Sequence, residues 1–197
     1  MPLHIFEERY ILMISRCIEW NQLGPEQGLF GIHFATEGRL EKVGCAVAVE
    51  KVVQKYDDGR FDILTRGVRR YRLSKIIKSE LYQQIEAEFF DDFLVPADLP
   101  LRAKAVALHC KLLEVAGRSF TAPIFGGESF PSYILAHEAG LSQEERQKLL
   151  EMTNESERLR ELITYYHRAI PEASKNTELR ERINANGFFR HLKSLEI

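Results

Sequence analysis

The sequence predicts an α+β fold: a small antiparallel barrel or curled sheet with one early helix, followed by a bundle of helices. Three observations carry this. One amphipathic helical pattern stands near the N-terminus, short strand patterns with turn signals fill the chain to about residue 90, and the periodicity then becomes helical to the end. The boundaries follow the pattern, with the barrel in residues 1–95, the helical bundle in 96–171 and a tail in 172–197.

The early helix is expected from about Ile5 to Leu23. Phe6, Tyr10, Met13, Cys17 and Trp20 recur at spacings of three and four and make one apolar face, and Gly24-Pro25 stops it. Gly28 to Phe34 reads as a short apolar strand. Val43 to Val53 alternates, with Val43, Cys45, Val47 and Val49 on one face and the small or polar Gly44, Ala46, Ala48 and Glu50 on the other. Tyr56-Asp57-Asp58-Gly59 signals a hairpin, because Asp-Gly tolerates positive φ. Phe61 to Arg66 returns, Gly67 punctuates, and Arg69 to Ile77 is a further strand. Tyr82 to Phe90 alternates again, with Ile85, Ala87 and Phe89 inward and Glu86 and Glu88 outward.

Asp91-Asp92 and Pro96 mark the change of composition. Leu101, Ala105, Leu108, Leu112 and Val115 then line one helix face. The stripe of Leu101, Leu108 and Leu112 is too narrow to bury only against two short helices, so the core is expected to pair the two halves of the chain. The stretch from Gly117 to Pro131, with Pro123, Gly126 and Gly127, is a loop. Ser132 caps a short helix that Gly140 ends. Ser142 with Glu145 forms a capping box for the next helix. Asn154 with Glu157 opens another, with Leu159, Leu162, Ile163, Tyr166 and Ile170 on its apolar face and Pro171 after it. The tail is polar to Gly187 and then carries Phe188, Phe189, Leu192 and Leu195.

Composition narrows the function classes. With 197 residues, 45% hydrophobic and 28% charged, the chain is an ordinary globular domain or two small ones. A net charge of -2 supplies no global attraction to nucleic acid or anionic membrane. The apolar runs are too short to span a bilayer, and no signal peptide opens the chain. Cys17, Cys45 and Cys110 are scattered and odd in number, which suits reduced thiols in the cytoplasm.

Catalytic constellations come close and fail. His137-Glu138 begins a zinc HExxH motif, but Leu141 stands where the second imidazole must be, so the pair reads as a solvent-facing helix end. Gly127-Glu128-Ser129-Phe130-Pro131 begins like a nucleophile elbow but lacks the final glycine and a preceding strand. There is no Gly-x-x-x-x-Gly-Lys-Ser/Thr phosphate loop. No metal site, cofactor or catalytic residue is assigned. Arg66, Arg69, Arg70, Arg72 and Lys75 form the one basic patch. RNA binding is the functional reading of it, and the solvated face of a strand whose Tyr71 and Leu73 point inward is the plainer one, preferred because no aromatic stacking set flanks it. Phe120, Phe125 and Phe130 stand in the Gly/Pro-rich loop without any periodicity. They either form an exposed patch that grips a polypeptide or fold back onto the domain. Candidate binding residues are therefore Phe120, Phe125, Phe130, Arg66, Arg69 and Arg72.

The ordered set of motifs resembles a known family. Pro2 to Tyr10, with Phe6, Glu7, Arg9 and Tyr10, is similar to the signature that opens the first helix of Lon protease N-terminal, substrate-binding domains. Val43-Gly44, then Asp58-Gly59-Arg60, Gly67, Arg70, Tyr71 and Leu73, and Tyr82 through Asp92 resemble its strands. Ser132, Leu135-Ala136, Leu141, Gln147, Leu149-Leu150-Glu151 and Arg158-Leu159 resemble its helices. The resemblance covers about Pro2 to Ile170. It implies a PUA-like β-barrel followed by a helical bundle, structural roles for Phe6, Glu7, Arg9, Tyr10, Gly44, Gly59, Gly67, Arg70 and Tyr71, and an acid such as Glu7 or Glu8 beside Arg70. It also implies a non-catalytic module that binds unfolded polypeptide or a protein partner. Lon proteases continue into ATPase and protease modules, whereas this chain ends first and reads as a free-standing member; RNA or a small ligand on the barrel is the alternative. The family also lays down an apolar strand before the helix signature. Here Met1 stands directly against Pro2, so an open barrel edge is expected, covered by a segment ahead of Met1, by the tail or by a second copy in a homo-oligomer.

Overall fold

The computed structural model describes residues 1–24, 27–36, 38–77, 81–93, 98–118, 130–176 and 178–185. The chain divides into two compact units, one ending at Asp91 and the other beginning at Asp92.

The first unit is built on one long hairpin. Strands β5 (Val43–Lys55) and β6 (Phe61–Ile77) pair antiparallel from Val43↔Arg72 to Lys55↔Phe61. The Asp-Gly signal is the turn between them: Gly59 takes φ +90 and donates its N–H to the Tyr56 carbonyl. Short strands flank this spine. β1 (Pro2–Ile5) pairs with the start of β6, β7 (Gln84–Phe90) with its end, and β2 (Phe30–Ile32) with β5. A two-strand pair, β3 (Ala35–Thr36) with β4 (Arg39–Leu40), stands apart. Among the described residues the sheet order is β1-β6-β5-β2 with β7 on β6, and these pairings do not close it into a barrel.

The N-terminal signature divides between two elements. Residues expected to begin the helix instead form β1, where Pro2 favours extended backbone and Leu3 and Ile5 turn into the core. The ladder runs on through Met1, whose ammonium donates to the Thr65 carbonyl at 2.6 Å while the Thr65 N–H donates back at 2.8 Å. The first residues thus form a strand of their own along the start of β6. Helix α1 (Glu8–Asn21) follows. It buries Ile14 and Cys17, with Ile11, Met13 and Ile18 partly buried, against Phe30, Val47, Phe61 and Ile63. The expected stripe was rotated about the helix axis: Phe6, Tyr10 and Trp20 are exposed at 62%, 37% and 46%. Met13 and Cys17 of the expected stripe do face the core, where Ile11, Ile14 and Ile18 take the place of the aromatics.

The opposite face of β5 is also covered. Tyr71 of β6 is 2% exposed and its ring lies over Gly44 and Gly31. A Cβ at Gly31 would stand 2.0 Å from the tyrosine oxygen, so the small residues of that face are room for one large ring. On β7 the inward assignment of Ala87 and Phe89 does not hold, since both are exposed on the sheet margin.

The second unit is helical: α2 (Leu99–Val115), α3 (Pro131–Glu138), α4 (Gln143–Glu151), α5 (Glu155–Ala173) and a further helix α6 over residues 178–185. Asp98 caps α2 through the Leu101 N–H, the Ser142–Glu145 capping box forms with both bonds present, and Asn154 caps α5. The core joins Ala105, Leu112 and Leu113 of α2 to Leu135, Leu149, Leu159, Leu162 and Tyr166. Three expectations change here. Pro171 lies inside α5, which runs on to the buried Ala173. Residues of the expected polar tail form α6, whose Leu179 and Ile183 are buried in the same core; Phe188 and its followers lie outside the described residues. Glu138 does not face solvent but is 2% exposed, 3.7 Å from Arg118.

Leu112 is fully buried while Leu108 only packs against the margin of the core. Leu112→Ala is expected to cost about 2–5 kcal/mol in urea denaturation, and Leu108→Ala clearly less. Burial pushes the Cys17 thiol up to about 11 from its ordinary value of 9.0. Being almost wholly protonated at pH 8 and shielded, it should stay silent to Ellman's reagent in the native chain and react once urea unfolds it.

Candidate binding surface and a buried arginine

The sequence singled out three loop phenylalanines. Phe120 and Phe125 lie outside the described residues. Phe130 sits just before α3, half-buried, with its ring 5.6 Å from the guanidinium carbon of Arg158. It is a lid on a buried cation rather than a free apolar patch.

The basic strand is answered by its own neighbours. Arg69 grips Asp91 through two hydrogen bonds, of 3.1 and 2.6 Å, and these hold the Asp91 carboxyl below the usual carboxylate range. Arg70 and Arg72 both lie over the Phe90 ring, at 4.6 and 4.2 Å. Arg72 pairs across the ladder with Glu88, and Lys75 with Glu86. Arg66 stands exposed opposite Ala48. Acids thus stand against Arg69, Arg72 and Lys75, and opposite charges across a ladder attract. Of the two acids expected beside Arg70, Glu7 accepts from Arg9 at 2.9 Å.

The motif residues around the hairpin turn form an exposed stack instead. Phe6 stacks on His4 with centroids 5.9 Å apart, His4 stands edge-on to Tyr56 at 6.0 Å, and Arg60 lies over Tyr56 at 5.1 Å. Asp62 holds the stack in place: it accepts from the Tyr56 hydroxyl and bonds His4 Nδ1, each at 2.6 Å. The Tyr56 bond, then that of His4, keeps the Asp62 carboxyl below its ordinary range, and the same bond to Asp62 raises the Tyr56 hydroxyl. Arg9 covers Tyr10 in a similar way at 4.6 Å. Of the glycines in the motif, Gly44 makes room for Tyr71, Gly59 makes the turn, and Gly67 faces the Cys45 sulfur. What this surface offers chemically is aromatic area with fixed orientation, suited to contact with apolar side chains.

Sequence reasoning missed the most constrained polar group. Arg158 is 0% exposed. Its guanidinium meets Asp92 through two hydrogen bonds, Glu155 at 2.8 Å, the Met152 carbonyl at 2.9 Å and the Ser132 hydroxyl at 2.9 Å. The Tyr133 ring covers one face at 4.4 Å. Burial alone would lower its pKa, but the bonds to Asp92 and Glu155 outweigh that and hold it above the ordinary value. Glu155 also accepts from the Ser132 N–H at 2.9 Å, so one carboxylate serves both the first turn of α3 and the arginine. Ser132 is thus not the cap of its helix; Phe130 holds that position. The signal was present: Asp92, Ser132 and Arg158 each belong to a separate motif, and the structure brings all three to one point.

An antiparallel sheet with one helix, followed by a helical unit tied by a buried arginine, defines a mixed helix-and-sheet architecture of the α+β class. The chain belongs to the ATP-dependent protease La (LON) substrate-binding domain family, whose model matches residues 1–119. Two solved structures share the fold. A Lon N-terminal domain protein from Xanthomonas campestris is 23% identical with a TM-score of 0.59, over 84% of this chain and 88% of that one. The N-terminal domain of the Mycobacterium avium complex Lon protease is 18% identical with a TM-score of 0.56, over 85% and 90% respectively. Among the described residues no group of three His, Cys, Asp or Glu is placed to hold a metal ion, and no helix is long and apolar enough to cross a membrane.

Removing the arginine leaves Asp92 and Glu155 buried against each other. Arg158→Ala is expected to destabilise the second unit by about 3–5 kcal/mol in urea unfolding, and Arg158→Lys to recover only part of that, because an ammonium cannot make the two-point bond to Asp92.

Proposed function

We propose that this chain is a non-catalytic module that binds unfolded polypeptide or a protein partner through apolar and aromatic surface on its first unit. Membership of a substrate-binding domain family supports the class. The observation that carries the reading is that aromatics of the family signature, Phe6 at 62% and Tyr10 at 37% exposure, are turned outward together with Trp20. Large exposed aromatics are unfavourable in water unless a partner covers them, and such residues dominate interface energies. The ionisable groups with the strongest connections, Arg158 with Asp92 and Glu155, serve the fold rather than a reaction. Reduced, unpaired cysteines suit a cytoplasmic setting. RNA binding is disfavoured by the acids and rings set against Arg69, Arg70 and Arg72.

The test uses a labelled, reduced and carboxymethylated polypeptide that cannot fold, titrated with the full chain and read by fluorescence anisotropy. Replacing Phe6 and Trp20 together with Ala removes exposed side chains, so the fold should survive while Kd rises at least about tenfold, or about 1.4 kcal/mol. Unchanged affinity in a folded double variant would contradict the proposal. Binding to single-stranded RNA that weakens steeply with salt would favour the alternative.

A further inference from the structure

Two buried polar atoms of the first unit, Tyr71 Oη and His33 Nε2, have no hydrogen-bond partner among the described residues. They belong to neighbouring rings. The His33 ring stands edge-on to Tyr71, with centroids 5.1 Å apart and planes at 73°. The other nitrogen of His33, Nδ1, lies 3.0 Å from the Glu41 carbonyl. A carbonyl only accepts, so in the neutral ring Nδ1 carries the hydrogen and Nε2 is left as an acceptor. Tyr71 presents a hydroxyl that can donate, and burial pushes its pKa up to about 12, which keeps the proton in place. One donor and one acceptor therefore share an interior, and they are not bonded to each other.

Glycine backbone lies close against both rings. A Cβ at Gly44 would come within 2.8 Å of both His33 Cε1 and Tyr71 Oη, and one at Gly31 within 2.0 Å of Tyr71 Oη. Glycine at 44 lets the His33 ring and the Tyr71 hydroxyl approach the same stretch of β5, and glycine at 31 admits the hydroxyl beside β2. Buried polar groups without partners are rare in folded proteins, and most that lack a protein partner are satisfied by ordered water.

We propose that one enclosed water molecule bridges Tyr71 Oη and His33 Nε2, accepting from the hydroxyl and donating to the ring nitrogen. The ligand is water rather than an organic molecule because both atoms are closed to solvent. The bridge joins β6, at Tyr71, to the segment that leaves β2 at His33. Through His33 Nδ1 and Glu41 it continues to the residue after β4. It is a polar link between the hairpin spine and the β3–β4 excursion, between which no strand pairing is found among the described residues.

A high-resolution crystal structure of the full chain tests this directly. Density for one water within about 3 Å of both atoms is expected. A direct Tyr71–His33 hydrogen bond, or no density between them, overturns it. In solution, water relaxation dispersion counts long-lived internal waters. Tyr71→Phe should lose one of them while the wild type keeps it, and an unchanged count in a folded variant also overturns the proposal. Should that variant fail to fold, the wild-type density decides.

Discussion

A guanidinium with no access to solvent is the constraint on which the helical unit depends. Arg158 cannot shed its charge, so its burial is tolerable only if nearly every N–H is matched. The match comes from four separate pieces of chain: Asp92 just after the sheet, Ser132 at the start of α3, the Met152 carbonyl after α4, and Glu155 at the start of α5. Two carboxylates against one cation leave a net negative charge, and Glu155 disperses part of it into the Ser132 N–H and hydroxyl at the positive end of α3. Each partner is fixed because the others are. The Phe93 N–H bonded to the Thr153 carbonyl pins the same stretch that delivers Asp92. An apolar cluster of leucines would tolerate several helix arrangements, whereas this ionic centre admits one.

The first unit is organised differently, by space rather than charge. Its hairpin spine carries a helix on one face through Ile14 and Cys17 and a single tyrosine on the other, with Gly31 and Gly44 as the floor. That division leaves several signature aromatics with no place in either core. Phe6 ends in a surface stack with His4 and Tyr56, steadied by Asp62. A module that recognises polypeptide needs apolar area that does not collapse inward, and side chains locked by neighbours lose little freedom on binding.

Features decided by local chemistry were legible in the sequence. The Asp-Gly turn, the Ser142–Glu145 capping box and the Asn154 cap need only residues close in the chain, and each formed as read. The order of sheet first and helices after was legible too, although β1, the β3–β4 pair and α6 were not read and the strands expected on either side of Gly67 are one strand, β6. The motif set led to the family whose model matches the chain. Features decided by distant partners were not. Arg158 stood in a motif of its own, and nothing near it in the chain pointed to Asp92, 66 positions away. The apolar stripe of α1 was ambiguous by one step of rotation, and the sheet chose the isoleucines. The signature from Pro2 to Tyr10 was read as the opening of the first helix, but β6 offered residues 2–5 a ladder. Pro171 reads as a terminator, yet it removes only its own N–H, and burial of Ala173 carries α5 past it. Of the candidate site, Phe130 was identified but its target was not, because a ring over a buried cation leaves no periodic trace.

The central claim is that Arg158 and Asp92 act as one unit rather than as two separately useful side chains. A double-mutant cycle with Arg158→Met, Asp92→Leu and the pair, read by urea unfolding, measures their coupling. The account predicts that each single change is costly, that the pair together costs much less than the sum, and that the coupling exceeds about 2 kcal/mol. Additive losses, with coupling below about 0.5 kcal/mol, would contradict it and return the second unit to an ordinary apolar bundle.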